Sequence, residues 1–175
     1  LDSLGEQHLL EELAKVDSFT DVLLIDTAAG ISDTVISFLL SSDEILLVTN
    51  PEPTSIVDAY AVAKVIGQYD GEKSIRLVVN GVSGVEQAQG VFRQIDNATR
   101  RFLGKSLHFL GFLPQDEALR SAVSQQRAVL ELYPESPVSK AFQVLSKALL
   151  YHLDRSSASP RGEDDPYNPW KEILK

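Results

Sequence analysis

Asp26 closes an apolar run, Val22-Leu23-Leu24-Ile25, and opens a loop of small residues, Thr27-Ala28-Ala29, that ends on Gly30. A buried parallel strand reads as such an unbroken run, and open α/β sheets collect ligands at the C-terminal ends of their strands. A carboxylate there, followed by a Gly-ended loop, is how nucleotide hydrolases set an acid beside a phosphate-bound Mg²⁺ and a γ-phosphate-sensing switch. Asp and Gly are also ordinary turn residues, so the run by itself equally describes a strand ending in a turn. Three other apolar runs end in residues able to hydrogen-bond a ligand: Thr49-Asn50, Asn80-Gly81 and Pro114-Gln115-Asp116.

Positioning these groups requires strands that alternate with helices. The patterning predicts strands at 21–26, 44–48, 74–79 and 107–113. Helical spacing is expected at 4–15, 31–40, 54–69, 85–103, 118–126 and 137–153, with Ser32 and Asp33 placed to cap the second of these. Pro51 and Pro53 stop the ladder after the second strand and impose an extended loop. Strands alternating with helices of this length read as βαβ units, so the fold class is α/β, a parallel sheet flanked by helices. The four strand ends then share one edge of the sheet. Residues 1–153 form the folded domain. Residues 154–175 begin with a Ser-, Pro- and Asp-rich stretch that reads as a tail. Trp170, Ile173 and Leu174 give its end a short helical stripe, suited equally to a partner, a membrane surface or the chain's own domain.

Composition narrows the classes. The chain has 175 residues and no cysteine, which removes disulfides, thiolate nucleophiles and cysteine-held clusters. Its three histidines, His8, His108 and His152, are too dispersed for a ligand set, so a metal held by side chains alone is not expected. A net charge of −9 opposes non-specific nucleic-acid binding, which depends on Lys and Arg displacing counterions. No stretch is apolar and long enough to span a bilayer. A soluble, acidic, cytoplasmic protein is the expectation.

Four segments together carry a family resemblance: DVLLIDTAAGIS at 21–32, DEILLVTNPEPTSIVDAYAVAKVI at 43–66, VVNGVSGVEQAQGVF at 78–92, and LGFLPQDEALRSAVSQQRAVLELYPESPVSKAF at 110–142. In this order they resemble the MinD/ParA group of P-loop ATPases (the SIMIBI branch of P-loop NTPases), and within it the flagellar-number regulators of the FlhG or FleN type. The resemblance implies that Asp26 is the Walker B carboxylate, acting on Mg²⁺ through water, and that Thr27 to Gly30 form the switch loop. It further implies that Asn80 hydrogen-bonds the adenine edge, while Pro114, Gln115 and Asp116 line the other side of the base pocket. ATP and Mg²⁺ are the implied ligands. A nucleotide-dependent homodimer, a flagellar or polar protein partner and peripheral association with the inner face of the cell membrane are the implied assemblies. Nucleic acid is not an expected partner.

The family's phosphate cradle, written KGGxGKT, does not occur in this sequence. Gly104-Lys105-Ser106 is a decoy: the glycine required five positions earlier is Thr99, and the triplet follows a helix instead of opening one. The resemblance therefore begins after the P-loop strand, and two explanations stay open. The chain is the C-terminal portion of a longer ATPase that regulates flagellar number or placement, or it is a non-catalytic interaction module that has lost the P-loop. Either way, the 175 residues alone are expected to turn over negligible ATP. Removing a central strand should also leave a gap beside 21–26 or expose apolar surface.

Overall fold

The computed structural model describes residues 20–156, together with Glu12 and Lys15. The tail beyond 156, including Trp170, and most of the expected helix at 4–15 lie outside the described residues. In chain order the elements are α1 (Asp33–Ser41), β1 (Ile45–Thr49), α2 (Pro53–Tyr69), β2 (Ile75–Val82) and α3 (Val85–Leu103). They are followed by β3 (His108–Pro114), α4 (Glu117–Ser124), α5 (Val129–Leu132) and α6 (Pro137–Ser156).

The three strands form a parallel sheet in the order β1-β2-β3, with Leu47 opposite Leu77 and Leu77 opposite Phe109. Each strand steps to its neighbour through one helix. Because such crossovers are right-handed, α2 and α3 share a face of the sheet. The sequence explains the packing of both. On α2, Ala59, Val62, Ala63 and Ile66 recur at i, i+3, i+4 and i+7 and are buried. On α3, Ala88, Val91 and Ile95 do the same, and the Phe92 and Phe109 rings meet at 5.2 Å. Burying Ile66 and Ile95, 0% and 1% exposed, contributes about 1.5–3 kcal/mol each. On the second face α6 packs against β3 through Val138, Ala141, Leu145 and Ala148.

Cover on that second face runs out at β1. Ile45, Leu47 and Thr49 are buried under α2, but Leu46 and Val48, pointing the other way, are 44% and 55% exposed. The expected strand at 21–26 is not formed. Residues 22–28 carry no regular secondary structure, and the apolar side chains at 22–25 are 40–76% exposed. The physical reason is that an apolar run specifies burial, whereas a strand exists only through a neighbour's backbone. β1 offers a free edge and the run does not lie on it. The remaining elements match the sequence reading within a few residues, apart from α5, a single turn that was not anticipated.

Polar locks hold the strand starts. Arg76 Nη2 donates to Glu44 Oε1 at 3.3 Å, and its Nε faces Oε2 at 3.2 Å, with side chains only 10% and 6% exposed. Asp96, on α3, accepts from Leu107 N at 2.8 Å and from Arg100 Nε at 2.7 Å, fixing the entry to β3.

Candidate functional site

The C-terminal edge of the sheet gathers polar groups from all three strands. Pro53 occupies the first turn of α2, where its missing N–H costs nothing. Two residues on, Ser55 reaches back to the end of β1. Its hydroxyl accepts from Asn50 N at 2.9 Å and lies 3.0 Å from Thr49 Oγ1, a side chain that is 1% exposed. From β2, Asn80 Nδ2 donates to Asn50 Oδ1 at 3.2 Å. Asn80 Oδ1 accepts no hydrogen bond among the described residues. The β2–β3 register slips between Asn80 and Val82. Gly81 absorbs the irregularity at φ 70, a left-handed conformation that suits glycine. Past the slip, Gln115 N donates to Val82 O at 2.9 Å and carries the chain off β3 next to Asn80's strand.

Asp116 follows and performs two tasks. Oδ1 accepts from Ala118 N at 2.9 Å, capping α4, and Oδ2 accepts from Val138 N at 3.1 Å, at the start of α6. Both carboxylate oxygens thus serve helix N-termini, which favour negative charge. The expected base-pocket residues Asn80, Pro114, Gln115 and Asp116 are brought together by the β2–β3 ladder. The expected switch residues take no part in that ladder. Asp26 is exposed in the irregular segment, Thr27 is half-buried, and Gly30 has φ 104 just ahead of the Ser32 cap on α1. The sequence places Asn50 at a ligand-facing strand end without giving it a role, and it does not single out Ser55. The Thr49-Asn50-Pro51 ending and a serine in the first turn of the next helix were the signals available.

The fold is shared with known proteins. The chain is 39% identical over 164 residues to the antiactivator FleN of Pseudomonas aeruginosa, spanning 93% of this chain and 57% of that protein. The fold superposes on the cell-division ATPase MinD of Pyrococcus furiosus with a TM-score of 0.67, at 24% identity, covering 84% of this chain and 59% of MinD. The chain is thus similar to MinD/ParA-type ATPases over the part of their length that it spans. The flagellum site-determining protein YlxH of Helicobacter pylori is a further relative, 26% identical over 78% of this chain and 46% of its own length. No protein-family model matches. The chain thus spans about half the length of the curated relatives it matches.

The Pyrococcus furiosus relative is described as an ATPase, and ATP with Mg²⁺ is the ligand that the sequence resemblance implies. The residues on the edge fit the base of such a nucleotide, since the Asn80 amide pairs an acceptor unused among the described residues with a donor that keeps a second proton. For the metal, no cluster of three or more His, Cys, Asp or Glu occurs among the described residues. Mg²⁺ needs only one or two carboxylates when phosphates supply the remaining oxygens, so the lone Asp26 suits a phosphate-bound ion and not a protein-held one.

Proposed function

We propose that these residues form the base-reading, C-terminal portion of a MinD/FlhG-type ATPase that regulates flagellar number or placement in response to nucleotide. The single observation behind this reading is the Asn80 amide, placed at the sheet edge between the β1 end and the β3 exit, with its oxygen unused among the described residues. The likeness to FleN and YlxH supports the flagellar assignment. Asn80 reads the adenine edge, and Pro114, Gln115 and the backbone at Asp116 flank the base. Asp26 acts on Mg²⁺ through water, while Thr27 to Gly30 respond to the γ-phosphate. The bound group, Mg·ATP, supplies the energy and the two states of the switch. The phosphate cradle comes from polypeptide outside these 175 residues, packing on the bare face of β1 at Leu46 and Val48 and on residues 22–25. Without it, turnover is negligible. With it, nucleotide drives homodimerisation and engagement of a flagellar or polar protein partner. The protein works in the cytoplasm, with peripheral contact at the inner membrane face, and no helix among the described residues is long and apolar enough to cross a membrane.

A second reading, a non-catalytic module that binds a protein partner, is favoured by the same exposed apolar residues and by the lack of a KGGxGKT sequence. Counting flagella on cells that carry a disrupted gene, and on cells with Asn80→Ala at the native locus, separates the two. Regulation by nucleotide requires Asn80→Ala to reproduce the disruption. A normal count in Asn80→Ala cells beside an altered count in the disruption favours the module. Unchanged number and placement in both would refute the spatial-regulator reading.

A further inference from the structure

A serine near a helix N-terminus commonly turns its hydroxyl onto backbone groups of that helix. Ser55 turns the other way. α2 starts at the Glu52 carbonyl, which accepts from Ile56 N at 3.0 Å, and its N-terminus has no side-chain cap. The Ser55 hydroxyl instead reaches back to the end of β1, where it accepts from Asn50 N at 2.9 Å. The direction of the remaining bonds follows from what each group can do. A backbone carbonyl only accepts, so Thr49 Oγ1 spends its one proton on Asn50 O at 3.3 Å. Ser55 must then be the donor in the 3.0 Å contact between the two hydroxyls. Three hydrogen bonds thus close a ring that leaves from the Asn50 N–H and returns to the Asn50 carbonyl. Thr49 is 1% exposed, so the ring is anchored in the core.

What the ring grips is the backbone of Asn50, and with it the place of the Asn50 side chain. That side chain lies over the end of β2. It meets the Asn80 amide at 3.2 Å and comes within 4.0 Å of where a Cβ on Gly81 would stand. The two amides can turn over together and keep their bond, so the pair sets no orientation. Its position is a separate matter, because the ring is built from backbone groups and hydroxyls that run in one sense only. We propose that Ser55 is a positioning residue of the nucleotide site: through the ring it keeps Asn50 against Asn80, and so keeps the Asn80 amide where it meets the base. This rests on the reading that Asn80 faces the base. Ser55 acts only through Asn50.

Two readouts on the 175-residue chain test the proposal. Asn50→Ala separates positioning from structure, because it removes the side chain but keeps the backbone that the ring grips. The first readout needs no nucleotide. In ¹⁵N-resolved NMR spectra, Ser55→Ala should speed hydrogen exchange at the Asn50 backbone amide and shift the Asn80 side-chain amide signals. Ser55→Thr, which keeps the hydroxyl, should do neither. The second is titration with Mg·ATP. Positioning worth one net hydrogen bond predicts roughly 3- to 10-fold weaker binding in Ser55→Ala, and Ser55→Thr should stay within about twofold of the wild type. In the Asn50→Ala background, adding Ser55→Ala should change the affinity by less than about twofold, since no side chain is left to position. A full-sized loss in that background marks a merely structural role and overturns the proposal. Unchanged affinity in Ser55→Ala alone, or unmoved Asn80 signals, overturns it too. If ATP binding still depends on Asn80, the nucleotide reading survives that failure. If the Asn80 signals move as expected but Mg·ATP does not bind the wild-type chain, the nucleotide reading falls, and the positioning claim falls with it.

Discussion

Replacing Asp116 should cost more stability than a surface carboxylate ordinarily does. One carboxylate accepts from Ala118 N at 2.9 Å and from Val138 N at 3.1 Å, so it caps α4 and ties α6 to the exit of β3. A lost N-cap costs about 0.5–2 kcal/mol. A buried N–H left without a partner costs about 1–3 kcal/mol, and Val138 is fully buried. Together these give roughly 2–4 kcal/mol for Asp116→Ala. Asp116→Asn keeps one acceptor oxygen and turns an amide toward the other N–H, so it should lose about half as much. Urea unfolding followed by circular dichroism measures both. With a slope of about 1.5 kcal/mol/M, Asp116→Ala should lower the midpoint by roughly 1.3–2.7 M. A midpoint within a few tenths of a molar of the wild type, or Asp116→Asn indistinguishable from it, would refute the double-cap reasoning.

Other outcomes follow from the same structure. Arg76→Met removes the guanidinium that faces the buried Glu44 carboxylate and should cost about 3–5 kcal/mol, whereas Arg76→Met with Glu44→Leu should recover most of that in the same urea assay. Gln126 sits at φ 53 just after α4, so Gln126→Gly should stabilise by about 0.5–1 kcal/mol, read as a higher urea midpoint. Hydrogen bonds from Ser121, and secondarily Gln125, hold the Tyr133 phenol below its ordinary pKa of 10.0, while partial burial opposes them. Ultraviolet titration should show Tyr133 ionising early, and Ser121→Ala should move it back up. Because the folded value is the lower one, this group adds stability that is fully present above the unfolded pKa and is lost as pH falls through the folded value.

Much of the fold was legible because periodicity and burial agree. The run at 74–79 is buried on both faces, and the helix at 85–103 occupies the range its apolar stripe indicates. Residues 21–26 show the limit of that reading, since apolar content calls for burial but cannot supply a neighbouring strand. α5 escaped because four residues are too few to display a helical period. The site divides in the same way. Asn80, Pro114 and Gln115 stand at strand ends that the pattern located. The hydrogen bond from Asn80 to Asn50 spans thirty positions, and the second cap of Asp116 reaches twenty-two positions to Val138. Pairings at that separation depend on how the strands stack side by side, which local spacing does not encode.

The central claim is that this edge reads the base of ATP through Asn80 but lacks the groups to cleave it. Isothermal titration of Mg·ATP into the chain, alongside Asn80→Ala and Asp26→Ala and with phosphate release monitored, tests it directly. Binding that disappears in Asn80→Ala, with negligible phosphate released by any of the three, is the expected result. Absence of binding, heats unaffected by Asn80→Ala, or sustained hydrolysis by the 175 residues alone would contradict it.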